Sequence, residues 1–406
     1  MIRLTMVGLM GFSATHALAQ ASFQVLGTTS GWRISANGIS ADGTVVVGTG
    51  VRTQFNEAIR WTAATGVVSL TPTAAADAQA ASTDGSVITG YFEVNNHGFR
   101  WDSAGIVDIN GPLVLSIVRG ISGDGSVIVG DSGPGGPFRW TQATGAILLR
   151  DLPGGITDSD VGGISADGQV IVGHAVFATG DEAFRWTAQT GMVALGHLTP
   201  TSTFARARAV SADGSVIVGF DERANGVWEP FRWTQVTGMV GLGFLSSGTS
   251  GIATAVSADG SVVVGYNNVA CNERHAFRWT AASGMQRIRD LLVAQGVHGL
   301  NGWQLNEATG ISADGTVIIG AAYNPLGQGE GWIATLPATT LPAPPACYAN
   351  CDQCGWSLTA NDFQCFLNKY AAHDPYANCD GSTGTPLLTA NDFQCFLNKF
   401  AEGCPQ

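Results

Sequence analysis

The feature that most constrains the fold is a four-residue phrase, Ser-x-Asp-Gly, that occurs seven times along the chain. Its aspartates are Asp42, Asp84, Asp124, Asp167, Asp213, Asp259 and Asp314, separated by 42, 40, 43, 46, 46 and 55 residues. An Asp-Gly pair supplies the positive φ that a tight hairpin turn requires, so each copy predicts a turn between two strands. A period of about 40 to 45 residues is typical of the four-stranded blades of a propeller.

Each unit has the pattern of four strands. In the sixth unit, small residues at 253–257 precede the turn, and a Val-rich run at 261–266 follows it, as expected of a buried strand. The units contain only six clear fourth strands, and the missing one lies at the other end of the chain, at residues 23–27. Such a strand closes a ring, whereas an open solenoid would require capping repeats. The sequence therefore predicts an all-β domain at residues 20–336, a seven-bladed β-propeller of four-stranded blades closed by the N-terminal strand.

The first 19 residues have the pattern of a secretory signal peptide. Arg3 precedes an apolar stretch at residues 4–14, and Ala17 and Ala19 lie where a signal peptidase reads small residues, which predicts cleavage before Gln20. The stretch is shorter than the roughly 20 residues that cross a bilayer, and no other apolar run reaches that length. We therefore expect an extracellular or cell-surface protein without a membrane span.

The charge balance argues against nucleic acid as a partner. The chain carries 31 Asp and Glu against 19 Lys and Arg, so its formal net charge is −12 and no broad basic surface can form. Charged residues make up only 12% of the chain and hydrophobic residues 45%, a composition that excludes extensive disorder.

An Arg-Trp pair recurs on the predicted third strand of six units, with Arg60, Arg100, Arg139, Arg185, Arg232 and Arg278. A catalytic group is needed once, whereas a group that occurs once per blade is expected to support the scaffold. We therefore expect the repeated Arg to pair with the repeated Asp, and the Trp to pack between sheets. The alternative, a ring of Arg that binds an anion, is weakened by the seventh unit, which has Ile333 in place of Arg.

The loops that vary between units are predicted to form one face, opposite the uniform Asp-Gly turns, and such variation usually marks a binding face. No pair of ionisable residues on this face has a spacing that indicates a metal site or an acid/base couple, and no nucleotide loop with Gly-Lys-Ser/Thr is present. The sequence therefore assigns no catalytic residue. The ionisable residues of this face are Asp77, Asp158, Asp160, His197, Glu222, Arg274, His298 and Glu307.

A Pro-rich linker at residues 337–346 precedes a small module at residues 347–406 that holds seven of the eight cysteines. That density in an exported chain predicts disulfide bonds. Residues 359–369 and 389–399 are identical and have the apolar spacing of a helix. An Asn-x-Asp loop before each copy offers oxygens that suit Ca²⁺, although the Thr and Asp of each copy also fit a helix capping box without a metal.

These motifs resemble two known families. The sequence from His275 to Trp279, His-Ala-Phe-Arg-Trp, and the recurrent Ser-Ala-Asp-Gly resemble the HAF repeats of bacterial extracellular proteins over roughly residues 20–337. The duplicated module resembles the Cys-containing dockerin domains at the ends of bacterial secreted proteins. The second resemblance implies a protein partner or cell-surface component that binds residues 347–406. It also implies two calcium sites, one formed by Asn350, Asp352 and Asp362 and the other by Asn378, Asp380 and Asp392.

The disulfide connectivity of the module stays open at the level of sequence. Cys351 with Cys365 and Cys379 with Cys395 are equivalent pairs in the two halves, and Cys347 with Cys404 would join the two ends.

The sequence thus predicts a secreted, non-enzymatic binding or surface-display protein, in which the propeller is an interaction scaffold and the dockerin-like tail an anchor. Two alternatives remain open: an extracellular polysaccharide-acting enzyme on a propeller scaffold, and a structural component of the cell surface. An acidic cluster at the central channel would favour the enzyme, and a featureless face would favour binding.

Overall fold

The computed structural model describes residues 20–27, 32–51, 55–111, 117–149, 156–177, 180–223, 226–246, 248–269, 273–337, 360–371, 377, 379 and 390–402. The predicted signal peptide and most of the predicted linker lie outside the described residues. Strands dominate the part before residue 337, and two helices lie in the part after it.

A short strand, β1 (Ser22–Val25), precedes six groups of four strands and a last group of three. The first three groups are β2 (Arg33–Ile39), β3 (Val46–Val51), β4 (Asn56–Thr62), β5 (Gly66–Ser69); β6 (Ala76–Ala81), β7 (Ile88–Phe92), β8 (His97–Asp102), β9 (Gly105–Asp108); β10 (Ile117–Ile121), β11 (Val127–Asp131), β12 (Pro137–Thr141), β13 (Gly145–Leu148). The next three are β14 (Ile156–Ile164), β15 (Ile171–Phe177), β16 (Gly180–Thr187), β17 (Gly191–Ala194); β18 (Ala205–Val210), β19 (Val216–Arg223), β20 (Val227–Thr234), β21 (Gly238–Gly241); β22 (Gly248–Val256), β23 (Val262–Val269), β24 (Arg274–Thr280), β25 (Gly284–Arg287). The last group is β26 (Gln304–Ile311), β27 (Val317–Tyr323) and β28 (Gly329–Thr335).

These strands form seven antiparallel four-stranded sheets, which we call blades 1 to 7 in the order of their first strands. Six blades follow chain order, and blade 7 has the order β1-β28-β27-β26, with Phe23 opposite Ala334. The first strands of successive blades contact one another, and β26 contacts β2, so the seven first strands surround a central axis. The predicted seven-bladed β-propeller, closed by the N-terminal strand, is confirmed.

The repeated phrase forms the turn between the first and second strands. In blade 1 the Ser40 hydroxyl donates to Asp42 Oδ1 (2.5 Å) and accepts the N–H of Val45 (2.9 Å), and Asp42 Oδ1 accepts the N–H of Thr44 (3.0 Å). Gly43 has a φ of 75°, which other residues rarely adopt. The same three bonds recur in the other six blades, and all seven Ser side chains are buried. The phrase is therefore a turn with its own internal hydrogen bonds.

The expected ion pair between the repeated Asp and the repeated Arg is wrong. Each Asp is satisfied by its own turn, and no ion pair among the described residues joins the two series. Arg232 Nε instead donates to the carbonyl oxygen of Gly260 (3.2 Å), in the turn of the next blade. The repeated Arg of that blade still supports the scaffold, through a backbone acceptor of its neighbour.

A closed ring of backbone hydrogen bonds joins the seven turns. From blade 2 to blade 7, the residue after the turn Ser donates its N–H to the equivalent carbonyl of the next blade, and in blade 1 the donor is Asp42. The N···O distances lie between 2.8 and 3.1 Å. A Cβ on Gly123 would lie 2.7 Å from Thr83 Oγ1, so the ring requires small residues. The members are Ala41, Thr83, Gly123, Ala166, Ala212, Ala258 and Ala313.

The hydrophobic core lies between blades. A Phe on the third strand is fully buried in five blades, and Trp332 has this position in blade 7. In one cluster, Val127 and Val129 of blade 3 pack with Phe184 of blade 4. Burial of both faces of each sheet explains why the second strands are continuous Val and Ile runs. The five residues are Phe99, Phe138, Phe184, Phe231 and Phe277.

Three α-helices complete the described structure: α1 (Ile288–Ala294), between blades 6 and 7, and α2 (Ala360–Ala371) and α3 (Ala390–Glu402), in the tail. The rings of Phe366 and Phe396, one from each tail helix, stack with centroids 4.0 Å apart. A disulfide joins Cys379 to Cys395, which confirms that predicted pair. Within the described part of the chain, no helix has the length and apolar character that a membrane crossing requires.

Candidate functional site

Every first strand contains a β-bulge at the same point of the repeat. In each blade one residue of the first strand pairs with a Gly of the second strand, and the residue after it is left unpaired. In blade 1, Ala36 pairs with Gly48, and Asn37 is the unpaired residue of the bulge. A bulge redirects a side chain out of the sheet, and these first strands surround the axis. The seven bulge residues are Asn37, Gln79, Arg119, Gly162, Arg208, Thr254 and Thr309.

In three blades the bulge residue is a structural link. Thr254 donates to the carbonyl of Ala308 (2.5 Å), and Thr309 donates to that of Ala36 (2.7 Å). Asn37 likewise donates to the carbonyl of Ala78 (3.0 Å). Each bond joins the first strand of one blade to that of the next. Among the described residues the other four blades make no such link, and two of them, blades 3 and 5, have an arginine at the bulge, Arg119 and Arg208.

We define the channel mouth by Asp77, Arg119, Asp160, Arg208 and Glu307, which come from the first strands of five blades. The two arginines stand at the bulge and the three carboxyl groups two residues before it, on first strands that surround the axis. The charge of Arg208 interacts with those of Arg119, Asp160 and Glu307. The mouth lies towards the beginnings of the first strands, at the end of the channel away from the Asp-Gly turns. It therefore belongs to the face that the sequence predicted to be variable.

Arg119 is held by the carboxylate of Asp131, with Nε 2.9 Å from Oδ2. The other oxygen of Asp131 accepts the N–H of Val161 (2.7 Å), in blade 4. Burial raises the pKa of Asp131 to about 6, although the bonds from Arg119 and Val161 oppose that shift. This carboxyl group therefore changes its protonation state in mildly acidic solution.

Beside this pair lies a second ionic group, in blades 4 and 5. Arg206 Nε donates to Asp181 Oδ2 (2.8 Å), and His174 Nε2 lies 3.8 Å from both Asp160 and Asp181. Burial, followed by the charges of Arg206 and Arg208, lowers the pKa of His174 to about 3. The imidazole is consequently neutral at physiological pH and does not add to the positive charge of the mouth.

A cavity of about 800 Å³ opens at the mouth between blades 1, 2, 6 and 7. Its wall includes four carboxyl groups, of which Asp77 and Glu307 come from the first strands of the two blades that flank blade 1; the other two are Glu273 and Glu330. Burial raises the pKa of Glu307, and the charges of Arg274 and Arg208 partly oppose the rise. Arg274 lies 3.9 Å from Glu307 and over the ring of Tyr266, 4.5 Å from its centroid.

The second carboxylate has different surroundings. Asp77 accepts a short hydrogen bond from the Thr49 hydroxyl and interacts with Tyr91, whose pKa burial and Asp77 raise to about 12. The cavity thus contains a carboxyl group whose pKa burial raises, Glu307, and a second one that contacts hydroxyl groups, Asp77. Pairs of carboxyl groups in unlike environments are the usual arrangement for general acid and base chemistry.

The structure brings together Asp77, Asp160, Arg274 and Glu307, which the sequence treated as isolated loop residues. His197 instead bonds Asp221 (3.2 Å), and His298 is exposed on the loop after α1. The side chain of Asp158 lies outside the described residues. Sequence reasoning missed Arg119 and Arg208, which an alignment of the seven units at the second-strand Gly would have revealed as departures from the repeat.

Of the six calcium ligands that the dockerin resemblance implies, two are described. Asp362 and Asp392 are fully buried in the first turns of α2 and α3. The other four, Asn350, Asp352, Asn378 and Asp380, lie outside the described residues. The calcium sites therefore stay a prediction.

No family model and no curated protein matches the sequence. Two solved structures share the fold. An oligogalacturonate lyase in complex with manganese has 12% identity and a TM-score of 0.55, with coverage of 79% of this chain and 98% of the lyase. An oligogalacturonate lyase from Vibrio parahaemolyticus has 11% identity and a TM-score of 0.55, with coverage of 80% and 99%. At these identities the likeness demonstrates the fold.

The mouth does not fit the manganese of the first lyase. Among the described residues no three His, Cys, Asp or Glu side chains converge as metal ligands. The one buried imidazole of the mouth, His174, lies in the field of Arg206, Arg208 and Arg119, which would repel a divalent cation.

The two lyases contradict the prediction of a non-enzymatic binding or surface-display protein, since both are enzymes with this fold over almost their whole length. The prediction failed because it looked for a catalytic pair at short sequence spacing. The ionisable groups of the mouth instead come from blades that lie far apart in the chain, and they meet only when the ring closes. The non-enzymatic prediction is therefore wrong.

Proposed function

We propose that this protein is an extracellular enzyme that cleaves a glycosidic bond of a polysaccharide at the channel mouth. The observation that carries the proposal is the cavity of about 800 Å³ in which Glu307, with its raised pKa, lies in one wall with a second carboxylate, Asp77. The fold is compatible with this role, because two lyases that act on oligogalacturonate share it. The Cys379–Cys395 disulfide supports an oxidising, extracellular setting.

In this proposal Glu307 is the general acid. Burial favours its protonated form, and Arg274, 3.9 Å away, stabilises the carboxylate that remains after the proton has left. A proton on the glycosidic oxygen is needed whether the bond breaks by hydrolysis or by elimination. Hydrolysis requires a second carboxylate that activates water or attacks the sugar, and Asp77 supplies it.

The test is an assay of bond cleavage with a panel of neutral and acidic polysaccharides. New reducing ends report both reactions, and the ultraviolet absorbance of an unsaturated sugar reports elimination alone. Glu307→Gln keeps the shape of the side chain but cannot supply the proton, so kcat is expected to fall about 10²- to 10⁴-fold. Glu222→Gln, a change of the same kind on the same face but outside the mouth, is the matched control.

Two results contradict the proposal. If the wild-type protein releases no reducing ends from any polysaccharide of the panel, the protein does not cleave glycosidic bonds. If cleavage occurs but Glu307→Gln retains wild-type kcat, the acid is a different residue.

We also propose that residues 347–406 form a dockerin-like calcium module that binds a protein partner or cell-surface component, and that the propeller is of the HAF-repeat type. The burial of Asp362 and Asp392 at equivalent helix starts supports two equivalent sites. Calorimetry of the whole protein with Ca²⁺ tests this. Asp392→Asn is expected to remove the heat of one site, and the exposed Gln394→Ala is the control. No heat for the wild type at millimolar Ca²⁺ contradicts the calcium sites.

A further inference from the structure

Two of the three arginines at or beside the mouth are paired with a carboxylate, and the third is not. Arg119 is paired with Asp131 (2.9 Å), and Arg206 is paired with Asp181 (2.8 Å). Arg208 has neither an ion pair nor a hydrogen bond among the described residues. Its guanidinium group lies over the face of Phe220, 5.6 Å from the ring centroid. A guanidinium group carries five N–H donors, so this side chain has a large unused capacity to donate.

Arg208 also stands at a position of the repeat that has a structural use in three other blades. A Thr or Asn at the bulge donates to the next blade in blades 6, 7 and 1, which strengthens the ring. Blade 5 instead has a long, charged side chain at this position, and it is exposed to the channel. Among the described residues, Arg208 therefore does not join neighbouring blades, and its donors face the channel instead.

The surroundings of Arg208 make a bound anion favourable. Partial removal from water among the groups that line the channel, followed by the charges of Arg206 and Arg119, lowers its pKa, although the side chain remains exposed to the channel. The carboxylates that interact with it, Asp160 and Glu307, lie beyond ion-pair distance in the described structure. Asp160 is instead 3.8 Å from His174.

We infer that Arg208, with Arg119 and Arg206 beside it, binds an anionic group of the glycan, so that the substrate is an acidic polysaccharide. The planar fork of Arg matches the two oxygens of a uronate carboxylate or of a sulfate ester. Because the charge of Glu307 interacts with that of Arg208, a sugar anchored there reaches the candidate acid within the same channel. This inference rests on the proposed function for the site and names its substrate class.

The experiment measures binding rather than cleavage, with the full chain carrying Glu307→Gln so that the ligand is not consumed. Calorimetric titrations use galacturonate oligomers, sulfated galactan oligomers and neutral galactose oligomers of equal length. We expect one of the two acidic series to bind at least 10-fold more tightly than the neutral series, with an affinity that falls as salt is added. The acidic series that binds identifies carboxylate or sulfate as the group recognised.

In the same background, Arg208→Gln is expected to weaken binding of the acidic oligomers about 10- to 100-fold, as for loss of a charged hydrogen-bonding partner. It should leave the neutral oligomers unaffected. Arg208→Lys should recover part of the affinity because it keeps the charge but not the fork. Arg139→Gln, on the third strand of blade 3, is the matched control and should bind like the parent. Melting temperatures of all variants report whether the fold is retained.

Equal affinity for acidic and neutral oligomers, or wild-type affinity in Arg208→Gln, overturns the inference. The proposed function fails independently of it. If the protein cleaves a neutral polysaccharide and does not bind acidic oligomers, the inference about Arg208 is wrong and the proposed enzymatic function stands. If the protein binds acidic oligomers tightly through Arg208 but cleaves no polysaccharide, the proposed enzymatic function is wrong and the anion-binding site stands.

Discussion

Leu26→Ala tests how strongly the N-terminal strand closes the ring. Leu26 directly follows β1, donates its backbone N–H to the carbonyl of Gly331 (2.9 Å) and is only 4% exposed. Its side chain belongs to a buried cluster with Trp32 and Ile34 of blade 1. One side chain thus joins the outer strand of blade 7 to the neighbouring blade, while its backbone bond does not depend on the side chain.

The size of the effect follows from this burial. Leu→Ala removes three carbons, each worth about 0.8 kcal/mol on transfer from water, which gives about 2.4 kcal/mol. The cavity left among the surrounding rings adds to this, so the free energy of unfolding is expected to fall by about 3 to 4 kcal/mol. Val107→Ala is the control, since Val107 lies on the outer strand of blade 2 and is 57% exposed. The control should change stability by about 0.5 kcal/mol or less.

Urea unfolding followed by tryptophan fluorescence measures both variants. The comparison uses midpoints at equal slope, because a change of slope would indicate that unfolding is no longer two-state. If Leu26→Ala and Val107→Ala shift the midpoint equally, the N-terminal strand does not hold the ring closed, and the argument from burial fails.

Ser211→Ala should lower the free energy of unfolding by about 1 to 3 kcal/mol, because the buried N–H of Val216 loses its acceptor at 2.9 Å. Urea unfolding checks this against Ser215→Ala, an exposed hydroxyl of the same turn, and equal effects would contradict the turn's role. Burial raises the pKa of Asp131 to about 6 in the folded chain, whereas an Asp in the unfolded chain has a pKa of about 4. Between these two pH values Asp131 is therefore protonated in the folded chain and ionised in the unfolded chain. Stability should therefore fall by up to about 3 kcal/mol as pH rises through that window, and Asp131→Asn should flatten this slope. If the free energy of unfolding of the wild type and of Asp131→Asn depends on pH in the same way, the raised pKa of Asp131 is refuted.

The number of blades and the closing strand are readable from the sequence because both depend on local signals. The turn phrase forms its own hydrogen bonds: in blade 1 the Ser40 hydroxyl donates to Asp42 and accepts the N–H of Val45. It therefore forms the same turn in each unit. The Asp–Arg pairing failed for the same reason, since an Asp satisfied two residues away has no need of a distant Arg.

The mouth was not predictable from spacing, because its groups meet only across the axis. Asp77 and Glu307 lie in blades 2 and 7 and line one cavity only because blade 1 lies between them. The register of the bulge is likewise a property of the strand pair. Arg119 and Arg208 became distinguishable from the scaffold arginines once the structure showed which position of the repeat they hold.

The ring of seven backbone hydrogen bonds at the turns also restricts how such a protein can change its number of repeats. Each link spans about 4.8 Å, as between neighbouring strands, so seven links make a circle roughly 34 Å around and about 11 Å across. An eighth repeat would widen that circle by about 1.5 Å, and a lost repeat would narrow it by as much. Because all the links bend together, the gain or loss of one repeat requires every turn to move at once. The number of repeats in this protein is therefore harder to change than in an open, elongated array, where a terminal unit can be added without disturbing the others.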